Sequence, residues 1–417
     1  MTEKDVIQAR LKRLRKAGGL QRRKKSAPAP AHDARITPAG LGALHDLPGM
    51  QEISGPGGSY LLRTVRYSLQ HRQGRSALGD LLTLSPQALA FLSSHAQFHP
   101  QQAVFLDTET SGLAGGAGTL VFLTGVGTFE EGGYVVRQFF ARNPAEERAY
   151  LPDLADFVAQ RGGLITFNGR SFDWPLLRTR FMLAGITPPD EQPHVDLLHL
   201  ARRLWRLRLG ACHFGHLEQR ILDFQRSGLD IPSWMIPNMW FEYARTRQNS
   251  HEMAAVLYHN LEDIVSMVPL AHTIAATLGR EQPPHPQDWL ALARAWLRAG
   301  YADLAEEGLR RALDVPQPPA MRAQALKELA MLLKRAGRQD EAAVWWQALA
   351  DMNRPQELES LVMLAKYHEW HTRNLAQAKA FTQMAITRAQ TTLPPAQRRE
   401  TLPLLQHRLQ RLQRKMG

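Results

Sequence analysis

The chain has 417 residues, 44% of them hydrophobic, and carries 51 Lys and Arg against 39 Asp and Glu for a formal charge of +12. A single cysteine, Cys212, excludes a disulfide framework and a Cys-rich zinc site, so a reducing cytoplasm is the default compartment. Neither an apolar run of membrane-spanning length nor a signal-type apolar region stands out, which leaves two compact soluble units with a basic tail and no membrane partner.

The positive charge sits at the two ends. Residues 1–35 hold 11 Lys and Arg against 3 acids, residues 281–417 hold 20 against 14, and the stretch between them holds 20 against 22. Basic flanks suit a polyanion, because phosphate neutralisation supplies most nonspecific binding to nucleic acid. No lysine occurs between Lys25 and Lys327, which removes lysine chemistry and a Walker-type phosphate loop from the middle of the chain. In the first segment Ile7, Leu11 and Leu14 fall on helical spacing among Arg10, Lys12, Arg13, Arg15 and Lys16, and Ser26 to Ala31 reads as a Pro/Ala linker. That segment is either a tether to an anionic partner or a solubilising tail. Residues 36–100 come next, with Gly55-Pro56-Gly57-Gly58 and an alternating stretch from Tyr60 to Tyr67, and form a small strand-rich preface.

Residues 101–280 carry the chemistry. Strands are expected near 103–109, 119–128 and 134–141, then a helix near 145–160, a strand near 164–168, and helices thereafter. Alternation on the first strand puts Asp107 and Glu109 on one face. Two carboxylates so close repel unless a cation lies between them, and hard ions such as Mg²⁺ and Mn²⁺ favour carboxylate ligands. Gly112, Gly115, Gly116 and Gly118 then make either a flexible hairpin loop or a place where a nucleic-acid end approaches the backbone.

The strand near 164 runs into Asn168-Gly169-Arg170-Ser171-Phe172-Asp173, with Pro175 close behind. Asp173 therefore sits where a helix cap would, and it serves either as that cap or as a third acid; Phe172 reads as core. Asp196 caps the next helix, on which Arg202, Arg203, Arg206 and Arg208 surround Trp205. A positive strip with an aromatic can track phosphates and stack a base, or be a solvated face around a buried Trp. Farther on, His259 and Asp263 stand four apart in a long helical pattern and share a face. Ser266, one turn beyond, is either a supporting hydroxyl or an ordinary polar residue on the helix.

In this order, strand D-x-E, strand-turn N-x-x-x-x-D and helix H-x-x-x-D, the strings resemble the exonuclease motifs of the DEDD superfamily. They are most similar to bacterial YprB-like predicted exonucleases with C-terminal tetratricopeptide-like repeats, over roughly residues 50–390. The resemblance implies an α/β RNase H-like mixed sheet flanked by helices. It also implies Asp107, Glu109, Asp173 and Asp263 as acids holding two Mg²⁺ or Mn²⁺ ions, and His259 as general base. Asn168, Arg170, Trp205 and Arg206 are the expected substrate contacts. In the histidine subtype of the superfamily the His lies five residues before the last Asp, and in the tyrosine subtype the Tyr lies four before. Here His259 has the tyrosine spacing and Tyr258 the histidine spacing, while the Asn168–Asp173 interval resembles the tyrosine-type proofreading domains of family B polymerases. His259 is favoured, because a spacing of five turns Tyr258 about 140° away from Asp263 on an ideal helix.

After Pro283, Pro284 and Pro286 the chain turns to Ala- and Leu-rich helix, and Ala305, Ala342 and Ala378 recur in similar phrases. Their spacing approximates the 34-residue helical hairpin, so residues 281–417 are expected to be an all-α repeat domain. It either docks a protein or the substrate strand, or braces the nuclease. The expected activity is metal-dependent hydrolysis of single-stranded DNA or RNA ends, 3′ to 5′. An inert nucleic-acid or protein scaffold and a structure-selective endonuclease are the alternatives.

Overall fold

The computed structural model describes residues 43–416 except 56, 94–97, 113–117, 191–192, 229, 283 and 355–356. The chain divides into Met1–Thr37 and Pro38–Gly417, and all described residues belong to the second unit. The basic helix and linker expected near the start lie outside the described residues.

A seven-stranded mixed sheet is the frame. Its strands are β1 (Met50–Gly55), β2 (Gly58–Tyr67), β5 (Val104–Thr110), β6 (Val121–Glu130), β7 (Gly133–Phe140), β8 (Leu164–Thr166) and β9 (His194–Asp196), and the two-residue strands β3 (Arg72–Gln73) and β4 (Ser76–Ala77) form a separate ribbon. The order is β1-β2-β7-β6-β5-β8-β9. β5, β6 and β7 follow one another antiparallel, β6 and β7 through a two-residue turn, whereas β8 and β9 run parallel to β5 after helical crossovers. The strands expected from residue 103 onward appear within three residues of their predicted ends. The supposed preface does not stand apart: β2 pairs with β7 from Leu61–Phe140 to Tyr67–Tyr134, extending the same sheet.

Alternation divides β5 between two cores, with Val104 and Leu106 on one face and Phe105 on the other. The first face is covered by helices α1 (Glu147–Ala159), α2 (Asp173–Leu183) and α4 (Ile236–Thr246). The second carries α3 (Leu197–Leu209) and the C-terminal half of α5 (Ser250–Leu278), whose N-terminal turns belong to the first core. α5 corrects the expectation that no segment has membrane-spanning length, yet 78% of its most apolar window is buried inside the protein. Its close seat on the sheet depends on two glycines of β6. A Cβ on Gly125 would stand 2.2 Å from Asn260 Oδ1, and one on Gly127 would stand 2.7 Å from Ile264 Cγ2.

Beyond α5 the chain is all helix. α6 (Trp289–Arg298) pairs with α7 (Ala302–Asp314), α8 (Pro319–Arg335) with α9 (Gln339–Asp351), and α10 (Glu359–Trp370) with α11 (Leu375–Thr392), and α12 (Pro395–Met416) packs on the last hairpin. Ala305, Ala342 and Ala378 are all buried, each near the start of a hairpin's second helix. Glu369 is buried too, and its carboxylate is satisfied by Arg408, Arg411 and Lys415 of α12 at 2.7–2.8 Å. The core continues from α5 into these hairpins. Arg208 at the end of α3 grips Asp288, just before α6, through two hydrogen bonds of 2.8 and 2.9 Å, and both side chains are largely buried.

Candidate active site

Asp107 and Glu109 project from the second face of β5, where α5 presents His259, Asn260 and Asp263. Asp107 is held from behind: Asn260 Nδ2 donates to its Oδ2 at 2.9 Å, and Gln138 Nε2 donates to Asn260 Oδ1 at 2.9 Å. Arg63 donates in turn to Gln138 Oε1 at 3.3 Å. These three supports are buried, so each must be paired, and the pairing fixes the Asp107 rotamer. Asp173 opens α2 and accepts a short hydrogen bond from the Thr108 hydroxyl, which ties it to β5.

His259 is nearly buried, with its Nε2 3.9 Å from Glu109 Oε1 and 3.6 Å from Asp263 Oδ2. Its Nδ1 lies 2.6 Å from Asp230 Oδ1, on the irregular segment that precedes α4. The same segment supplies Arg226, which bonds Asp263, reaches Glu218 through contacts of 2.8 and 2.9 Å, and lies 3.5 Å from Asp230. Glu218 begins a π-helical turn, Glu218–Leu222, an irregularity frequent at functional sites. The Ser266 hydroxyl accepts from Gln73 at 3.0 Å and bonds Glu218, so it reaches Asp263 only through Glu218 and Arg226. Tyr258 accepts from the Ser227 hydroxyl at 2.8 Å and takes no part in the acid cluster.

Crowding sets the charge state. Burial first, then the charges of Asp263, Asp173 and Glu109, raise the Asp107 carboxyl well above its ordinary value. Burial pushes Glu109 up to about 8 despite the opposing pull of His259, with Asp263 and Asp173 adding to the rise. Asp173 is pushed up to about 6, again by burial, against hydrogen bonds that lower it. For His259 burial works downward, but Asp263, the Asp230 hydrogen bond and Glu109 overcome it and carry the imidazole up to about 9. Carboxylates this strained are short of positive charge. The donor set, four carboxylates with one imidazole, suits hard divalent cations, and ligand atoms of Glu109, His259 and Asp263 already lie within 4.8 Å of one another.

These directions make stability depend on pH. Asp173, Glu109 and His259 each bind a proton more tightly folded than unfolded. Each therefore stabilises the fold fully below its ordinary value, 3.8 for Asp173, 4.5 for Glu109 and 6.5 for His259, and loses that contribution as pH rises through about 6, 8 and 9. Cation-free protein should lose thermal stability across that window. Added Mn²⁺ should raise Tm more at pH 8 than at pH 5.5, because at the lower pH it must displace protons; thermal scans in EDTA and in Mn²⁺ check this, and equal Tm gains at the two pH values would contradict it.

The expected substrate contacts fare unequally. A cleft of about 680 Å³ is lined by Asp107, Asn168, Arg202, Arg206, Phe214 and Asp263 among others, which brings Asn168 and Arg206 to the acids. Asn168 has φ 69°, a left-handed conformation that Asn tolerates, and its N–H donates to Asp196 at 2.9 Å. Asp196 also caps α3 by accepting from Leu198 N–H. Arg170 is exposed on the adjoining cleft. Trp205 is a correction: it is 2% exposed within the core and has no face to offer a base. Phe172 is only half-buried and joins neither core. Gly115 and Gly116 lie outside the described residues.

Asp230, Arg226, Gln138 and Glu218 join the site without any signal in the local sequence. Asn260 has one, since it stands between His259 and Asp263 in the same string.

A family model and a relative of similar length agree with this architecture. The RNase_H_2 model of the RNase_H superfamily matches residues 104–275, which contain all four acids and His259. The uncharacterized protein YprB of Bacillus subtilis (strain 168) is 30% identical over 338 residues, covering 79% of this chain and 81% of its own length. A family B DNA polymerase from the hyperthermophilic archaeon Pyrobaculum calidifontis aligns with a TM-score of 0.33 and 16% identity, over 58% of this chain and 30% of the polymerase. On the strength of the similarity to YprB, the chain belongs to the YprB-like family and carries an RNase H-like nuclease domain.

Proposed function

We infer that this protein is a metal-dependent exonuclease that removes nucleotides from single-stranded DNA or RNA ends in the 3′ to 5′ direction. The observation that carries the reading is the cluster of Glu109, Asp263 and His259, whose ligand atoms lie within 4.8 Å of one another, with Asp107 and Asp263 lining one cleft and the far imidazole nitrogen held by Asp230. An inert scaffold has no need to sustain such a crowd of largely buried acids. Asp107, Glu109, Asp173 and Asp263 would hold two Mg²⁺ or Mn²⁺ ions, which when bound supply Lewis-acid polarisation of the scissile phosphate and of the attacking water.

The chain's own residues do the rest. Asp230 accepts the Nδ1 proton of His259, and Nε2, 3.2 Å from the Ser233 hydroxyl, is turned toward Glu109 and Asp263; the carboxylates that keep the imidazole protonated would be neutralised by bound divalent ions, which would free Nε2 to act as base. Nε2 takes the proton of the attacking water, the water oxygen bonds phosphorus as the P–O3′ bond breaks, the departing O3′ of the shortened strand takes a proton from solvent, and the terminal nucleotide is released as a 5′-monophosphate. Asn260 keeps Asp107 in place, and Asn168 and Arg206 border the cleft where the terminal phosphates would lie. The test is a 5′-labelled single-stranded oligonucleotide incubated with Mg²⁺ or Mn²⁺. A ladder shortening stepwise from the 3′ end, absent in EDTA, is expected; immediate release of the labelled 5′ nucleotide would reverse the polarity, and an intact oligonucleotide under both metals would reject the activity.

A further inference from the structure

A second cleft, of about 910 Å³, opens on the other side of the Asn168–Arg170 turn. Its walls come from that turn, from residues 90–93 and 193–196, from α3 and from the tip of the first helical hairpin, and they carry Arg170, His199, Arg203, Arg298, Phe91 and Tyr301. The two clefts adjoin. Asn168 lines the one with the acids and Arg170 lines the other, while α3 sends Arg202 and Arg206 into the first and Arg203 into the second. The Arg208–Asp288 pair ties α3 to the root of the hairpin, two of the elements that line the second cleft.

Among the described residues, Arg170, Arg203 and Arg298 have no carboxylate partner. Arg294, one turn before Arg298, is by contrast held by Glu328 at 2.5–3.0 Å. Burial first, then the positive charges of Arg203 and Arg294, hold Arg298 below its ordinary value, with Glu328 pulling the other way. The acid of this wall, Asp196, is already committed to the N–H groups of Asn168, Arg170 and Leu198. Tyr301 is 40% exposed and its ring packs on Phe91 with centroids 5.3 Å apart, so it has a braced aromatic face at the cleft.

We propose that this cleft is the binding track for the single strand behind its reacting end, with Arg170, Arg203 and Arg298 on successive phosphates and Tyr301 stacking a base. The first hairpin is then part of the substrate site. Such a track reads backbone and π-faces and has little sequence preference. Its substrate class rests on the nuclease reading above, but the track itself is tested by binding alone.

Fluorescence anisotropy in EDTA, with the full chain and labelled oligothymidylates and oligouridylates of about 4 and about 12 nucleotides, spans the usual range of single-strand sites. The Arg203→Gln/Arg298→Gln double variant should bind the longer strands at least about tenfold more weakly and the shorter ones as wild type does. Its slope of log affinity against log salt should fall by about 1.4, the share of two phosphates on a single strand. Tyr301→Ala should cost about tenfold on the longer strands with the slope unchanged. Unchanged Tm would show that both variants fold. Wild-type affinity and salt slope in the double variant would overturn the track while leaving any laddering activity intact; loss of long-strand binding by the variants, in a protein that never hydrolyses, would keep the track and reject the nuclease.

Discussion

Asp107→Asn should lower hydrolysis by about 10³-fold, equivalent to about 4 kcal/mol of transition-state stabilisation at 1.36 kcal/mol per tenfold. The substitution is nearly isosteric, and the Asn carbonyl can still accept from Asn260, so the Arg63–Gln138–Asn260 support is kept. What disappears is one negative charge at the centre of the acid cluster. Because that charge is strained without a cation, the variant measured in EDTA should be at least as thermostable as wild type. It should also gain less Tm from Mn²⁺. This opposite movement of activity and stability separates a cation ligand from a structural acid, whose loss would lower both; a variant that lost Tm in EDTA along with its activity would place Asp107 in the second class.

His259→Gln should cost about 10²- to 10⁴-fold in kcat, the range of a general base, with little change in KM. Asp230→Asn, acting through the imidazole, should cost about 10- to 100-fold. Tyr258→Phe is the control: its hydroxyl engages Ser227 and stands apart from the acids, so activity should stay within about twofold. If instead Tyr258→Phe were the severe variant and His259→Gln the mild one, the assignment of the base would be reversed.

Much of this site can be read from local pattern. Period-two alternation puts Asp107 and Glu109 together on β5, and a spacing of four puts His259 and Asp263 on one face of α5, because both relations are set by backbone geometry within a single element. Asp230 and Arg226 obey no such rule. They reach His259 and Asp263 from irregular chain 29 to 37 residues away in sequence, and only the tertiary fold makes that approach. Gln138 looks like any polar residue on a strand until Arg63 and Asn260 close around it.

Trp205 is a different case, since the signal for its burial is local. Leu197, Leu198, Ala201, Leu204 and Trp205 form one helical apolar stripe, and all five are buried. The neighbouring arginines draw attention to charge, while periodicity assigns the ring to the core. The arginines themselves divide by facing direction: Arg208 is used in a buried ion pair, whereas Arg202, Arg203 and Arg206 turn to the two clefts. The pairing of β2 with β7 is non-local, so nothing near Tyr60 in the sequence reveals that residues 50–67 complete the nuclease sheet.

The most direct measurement compares linear and covalently closed circular single-stranded DNA of the same sequence, incubated with the full-length protein and Mn²⁺. The linear strand should be reduced to mononucleotides while the circle survives, since an exonuclease needs a terminus. Cleavage of the circle, or survival of both strands under conditions where they are bound, would contradict the exonuclease assignment.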